Sequence, residues 1–141
     1  MRIGISIFLL VSQLAMFSQT SPIVGKYYLK LESVDSHLFE YELNLNQDGT
    51  FFFHYYSKIN RGVPPEVHKY GKGNWTEKNN VITFITKSSD LDEKHTLDFS
   101  KTKARFVTKS PRNKTDQIIK TKLTILNSEI FWMRGLDMFK I

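Results

Sequence analysis

The chain has 141 residues, 40% of them hydrophobic and 24% charged, with 20 Lys and Arg against 14 Asp and Glu, four His and no Cys. That length leaves room for one domain, and the absence of cysteine excludes disulfides, thiolate metal sites and a thiol nucleophile. The formal charge of +6 favours anionic partners over cationic ones, and it sets no fold.

The chain opens on Arg2, an uncharged apolar run from Ile3 to Phe17, and then Ser18, Gln19, Thr20 and Ser21. This is the three-part layout of a secretory signal peptide, and the run is shorter than the ~20 residues that span a bilayer. The expectation is therefore a leader over residues 1–18 and an exported domain over residues 19–141, periplasmic or secreted. No cysteine follows the run, which excludes a lipid-anchored lipoprotein. Without Arg2, 19 basic residues face 14 acidic ones, a charge of +5.

From Gly25 onward the organising signal is period two, the spacing at which a strand sends alternate side chains to opposite faces. In KYYLKLES, Tyr27, Leu29 and Leu31 point one way and Lys26, Lys30 and Glu32 the other. LFEYELNLN repeats the pattern, with Phe39, Tyr41, Leu43 and Leu45 opposed to Glu40, Glu42, Asn44 and Asn46. Asp48-Gly49 then gives a hairpin turn, so Thr50 to Ile59 is expected as the antiparallel partner of the second strand. The stretch Asn60 to Gly71, with Gly62, Pro64 and Pro65, reads as a long irregular loop and a candidate lid. KGNWTE, NNVITFIT, HTLDFS, KARFVTK, KLTILN and EIFWMRG read as further short strands, with turns at Asn79-Asn80, Ser100-Lys101 and Asn127-Ser128. Eight or nine strands at this regular spacing predict an all-β, up-and-down antiparallel barrel. A transmembrane barrel is disfavoured, because Lys26, Lys30, Glu40 and Glu42 would then face lipid or the apolar positions would face water.

Three short elements carry a family resemblance: Gly25-Lys26-Tyr27 at the first strand, Asp48-Gly49-Thr50-Phe51 at a turn, and Gly73-Asn74-Trp75 before a turn and an apolar strand. Over residues 23–86 the chain resembles the small exported bacterial lipocalin-like, or calycin-type, barrels. The resemblance implies a meander barrel and a small apolar ligand. Tyrosine stands at position 27 where such barrels carry tryptophan. The related copper-responsive envelope lipoproteins have a lipidated cysteine and a Cys-x-x-Cys pair; both are absent here, so that function does not carry over.

The run FFFHYY poses the sharpest question about chemistry. On a strand, Phe51, Phe53 and Tyr55 share one face and Phe52, His54 and Tyr56 the other, and the first set is the expected interior. Tyr27, Phe39, Tyr41, Phe51, Phe53, Tyr55 and Trp75 are accordingly expected to line the interior and to touch any ligand bound in the barrel mouth. The second set is an exposed aromatic strip or lies under the loop at Pro64-Pro65. No two of His37, His54, His68 and His95 have chelating spacing; a metal would need a site assembled across strands, for instance from His54, His68 and Glu66, and none is expected. Asp90, Asp92 and Glu93 lack the glycine and the distant glutamate of a calcium loop and read as an acidic turn.

No nucleophile elbow or phosphate-cradling glycine loop occurs, and the acids fall on solvent faces, so a hydrolase or metal-dependent enzyme is the weaker class. The segment Lys101 to Lys122 is densely basic with one acid, Asp116, and offers a rival function, an envelope interaction module that holds an anionic polymer on a basic hairpin. The leading expectation is a monomeric, exported, non-enzymatic binding protein without cofactor or nucleic-acid partner. Its ligand is a small apolar molecule in the barrel mouth, or an envelope protein on the rim.

Overall fold

The computed structural model describes residues 21–141; the expected leader, residues 1–18, lies outside the described residues. Nine strands follow in chain order: β1 (Gly25–Glu32), β2 (Leu38–Leu45), β3 (Thr50–Lys58), β4 (Glu66–Lys78), β5 (Val81–Ile85), β6 (His95–Leu97), β7 (Lys103–Val107), β8 (Lys122–Asn127) and β9 (Asp137–Lys140). Eight of them, all but β6, pair antiparallel with their chain neighbours, and β9 returns to β1 through Tyr27↔Lys140 and Tyr28↔Phe139. The result is a closed up-and-down barrel. β6 adds to β4 in parallel, through Tyr70↔His95 and Gly71↔Leu97. Among the described residues there is no α-helix, one short 3-10 turn at Ser88–Asp90, and no helix long and apolar enough to cross a membrane.

Local chemistry sets the turns. Gly49 has φ +86°, and Asp48 Oδ1 accepts from the Thr50 N–H at 2.9 Å and from its hydroxyl at 2.6 Å. That pins the β2–β3 hairpin, whose register pairs Leu45 with Phe51 and Leu38 with Lys58. Asn79 and Asn80 both take positive φ, the backbone that a two-residue hairpin between β4 and β5 demands and that asparagine tolerates best after glycine.

The interior is filled. Tyr27, Leu43, Leu45, Phe51, Phe53, Ile82, Phe84, Phe99, Leu123, Ile125, Met133 and Met138 are buried. Phe51, Phe53 and Phe84 gather around Phe99, with Phe51 and Phe53 each 5.0 Å from it between ring centroids. Lys26, Lys30, Glu40 and Glu42 stand on the outer face with Lys26 bridged to Glu42 at 2.7 Å, a polarity opposite to that of a barrel whose outside meets lipid.

Two segments differ from the sequence reading. The expected loop from Asn60 to Gly71 is shorter, because β4 already begins at Glu66 and pairs with β3 from Lys58↔Glu66 to Thr50↔Asn74. Its first turns of strand hide from a periodicity argument because Lys69 takes an inward position, opposite Tyr55. EIFWMRG is not a strand. Residues 129–135 form bends and turns, closed by Met133 N–H to Ile130 O at 2.9 Å and Leu136 N–H to Met133 O at 3.2 Å, with Gly135 at φ +84°. The last strand is the DMFK segment that follows.

Candidate functional site

The strands β1 to β4 are the longest, and they overhang one end of the barrel, where β1 ends and β2 begins. Their inward positions there are Leu29 and Leu31 on β1, Phe39 and Tyr41 on β2, Tyr55 and Ser57 on β3, and Val67 and Lys69 on β4. The turn segment 129–135 folds over this end and delivers Trp132 among them. Tyr41 and Tyr55 face each other with ring centroids 5.3 Å apart, and Trp132 lies 6.0 Å from Tyr41 and 4.8 Å from Tyr55. Phe53 forms the floor, 6.1 Å from Trp132.

Tyr55 and Trp132 are packed on the core on one side and open on the other, whereas Tyr41 beside them is buried, 7% exposed. Neither phenol nor the indole N–H finds a hydrogen-bond partner among the described residues, and no buried polar side-chain atom there is left unsatisfied, so the three polar tips reach solvent. Burial, with the neighbouring Tyr55 phenol as a second cause, raises the Tyr41 pKa above its ordinary value. Lys69 Nζ sits 5.9 Å from the centroid of the Trp132 ring. The ion pairs among the described residues do not include Lys69. Around the mouth, Val34, Val63 and Phe131 stand 103%, 99% and 86% exposed on three of the four connections at this end, so each of those three presents an apolar side chain to water.

The seven expected interior residues divide by depth. Tyr27 and Phe51 are fully buried, and Tyr27 spends its hydroxyl on the Ile23 carbonyl at 2.6 Å, which makes it a structural residue. Trp75 packs at the opposite end, its Nε1–H donating to Asn46 O at 3.0 Å. Tyr41, Tyr55 and Phe53 come together at the mouth, and Phe39 sits at its rim opposite Leu31 and Ser57. Sequence reasoning missed Trp132 and Lys69. The signal for Trp132 was its place in an apolar run broken by Arg134-Gly135; for Lys69 it was a charge at a position whose strand neighbours point inward.

The other half of FFFHYY builds the outer face. His54 Nε2 and His68 Nδ1 are 2.8 Å apart. Their rings are parallel within 4° with centroids 5.1 Å apart, which places them edge to edge along a hydrogen bond. Tyr70 covers one face of His54 at 4.5 Å. With Tyr28, Glu40, Glu42 and Tyr56 the two imidazoles line a depression of about 270 Å³. Glu66 does not join the histidines; it accepts from Tyr56 OH at 3.2 Å. Among the described residues no three His, Cys, Asp or Glu side chains converge as a metal set. The acidic turn is closed on itself, with Asp92 Oδ1 accepting from the Lys94 and His95 N–H groups at 2.9 and 2.6 Å, and these bonds hold its carboxyl far below the usual range.

On the far side, β7 and β8 and the connection 108–121 form the basic hairpin. Lys103 and Arg105 point outward and are exposed, and a groove of about 500 Å³ runs between the Asn79-Asn80 turn and residues 105–111.

No family model, curated protein or solved structure matches this chain.

Proposed function

We propose that the chain is an exported binding protein, secreted or periplasmic, that takes a small apolar molecule at the open mouth of its barrel. The observation that carries this reading is the pair of half-covered rings Tyr55 and Trp132 over buried Tyr41, whose three polar tips are unpartnered among the described residues. Large rings left open to water at one end of a packed domain cost apolar hydration that a bound molecule relieves. Because Phe53, Phe99 and their neighbours fill the space below, the ligand rests on this ring platform and does not run down the barrel axis.

Native mass spectrometry of the protein purified from its host's envelope, beside Trp132→Ala, tests the reading. A small-molecule adduct on the unaltered protein that is lost in the variant supports it. A bare mass, or an adduct indifferent to Trp132, rejects it. A second reading, an anionic polymer held on the basic hairpin, draws on the groove beside Arg105 and Lys109.

A further inference from the structure

We infer that the mouth selects a flat, ring-bearing anion, and that Lys69 is the residue that pairs with its charge. The inference rests on the reading of the mouth as a ligand site and adds the chemical class of the ligand.

The inward positions of β1 to β4 run Tyr27, Leu29, Leu31; Phe39, Tyr41, Leu43, Leu45; Phe51, Phe53, Tyr55, Ser57; Val67, Lys69, Gly71, Gly73, Trp75, Glu77. Lys69 is the one ionic side chain of that series at the mouth; Glu77 stands at the opposite end of β4, beyond Trp75. A lysine at such a position breaks the pattern that folds the barrel, and departures of this kind concentrate at functional sites. Lys69 is exposed, its ammonium lying over the Trp132 ring, 5.9 Å from the centroid, and it joins no ion pair among the described residues.

A neutral ligand laid across Tyr41, Tyr55 and Trp132 would strip water from this ammonium and return nothing for it, and desolvating an unpaired charge is strongly unfavourable. An anion returns a charge-assisted hydrogen bond. The remaining open polar tips agree with this choice, since two phenol hydroxyls and an indole N–H all donate and an anion accepts. The body of the ligand is a ring system, because the two side chains set directly against Lys69 are the partly exposed rings of Tyr55, its cross-strand partner, and Trp132, against which planar groups stack with little ordering cost.

A matched pair of probes isolates the charge: 2-naphthoate and 2-naphthamide share shape and ring and differ in ionisation. Isothermal titration of the purified protein with each probe is compared across the unaltered chain, Lys69→Met and Trp132→Ala. The expected result is at least tenfold tighter binding of naphthoate in the unaltered chain. Lys69→Met then brings naphthoate down to the naphthamide level and leaves naphthamide unchanged. Equal affinities in the unaltered chain, or a naphthoate preference that survives Lys69→Met, overturns the anion assignment; if both probes still depend on Trp132, the mouth stands as a site without it. Failure of both probes to bind at millimolar concentration overturns the mouth reading and the anion assignment together.

Discussion

The bond between His54 and His68 joins two ring nitrogens, one donating and one accepting, so at least one ring must be neutral for it to exist. Burial lowers the His54 pKa below its ordinary 6.5, and the neighbouring His68 lowers it further, against the opposing pull of Glu42 and Glu40. Between the folded pKa and 6.5 the unfolded chain therefore binds more protons. The stabilisation is present above about pH 6.5 and is lost as pH falls from there through the folded pKa. Asp137 acts in a lower window. The Thr124 hydroxyl, donating at 2.6 Å, and then the Lys122 ammonium at 3.1 Å hold its carboxyl below 3.8, so its contribution is present above that pH and fades as acid takes it through the folded pKa. Urea midpoints measured from pH 7 to pH 2 should show both declines in the unaltered protein; His54→Gln should lack the upper one and Asp137→Asn should have a smaller lower one, its remainder belonging to Asp92 and Asp48, whose carboxyls are also lowered. A His54→Gln chain that still loses stability between pH 6.5 and 5 would contradict this account. Deeper in, Tyr27→Phe removes the buried bond to the Ile23 carbonyl and strands that acceptor, for an expected loss of about 1–3 kcal/mol in urea unfolding at neutral pH.

Of all the strands, β4 couples the most to its surroundings, because it is the longest and because two of its inward positions are glycine. A Cβ at Gly71 would stand 2.7 Å from Phe99 Cε1, and one at Gly73 would overlap the Ile85 carbonyl and press on Phe51 at 3.0 Å. The glycines thus make room for the ring cluster that fills the barrel. Gly71→Ala is expected to cost about 1–3 kcal/mol, since a ring has some freedom to shift. Gly73→Ala should cost more, because its obstacle is backbone; equal urea midpoints for the two variants would count against this ranking. Strands whose inward residues are all apolar were legible from alternation alone, as in β1, β2 and β3, and so was the Asp48-Gly49 hairpin. The start of β4 was not, because Val67, Lys69 and Gly71 alternate in direction but not in hydrophobicity. EIFWMRG misled for the opposite reason. Its apolar residues are there to cap the mouth, with Met133 buried and Ile130 and Trp132 packed on the core, and a cap obeys no strand period. The aromatic face of β3 was therefore readable in advance, whereas the mouth needed the fold to bring Trp132 and Lys69 beside it.

At the scale of the whole molecule, two surfaces compete to explain what the barrel binds, and they differ in physics. The mouth offers ring faces and one ammonium. The β7–β8 side offers exposed Lys103 and Arg105 with the basic connection that follows, on a chain of formal charge +6. Attraction between many exposed charges weakens sharply once the screening length shrinks from about 10 Å at 0.1 M salt to about 3 Å at 1 M. Apolar contact at the mouth has no such dependence, and a single Lys69 ion pair has a shallow one. Binding of a sulfated polysaccharide such as heparin should therefore fall by orders of magnitude across that salt range and should weaken in Lys103→Gln/Arg105→Gln. Naphthamide binding should hold within about twofold over the same range, because high salt leaves hydrophobic burial intact or strengthens it slightly. Naphthoate should lie between the two, losing part of its advantage over the amide and keeping the rest. If heparin binds with a steep salt slope and neither naphthyl probe binds at all, the functional surface is the basic hairpin, and the open rings at the mouth are left as the partly wetted edge of the core.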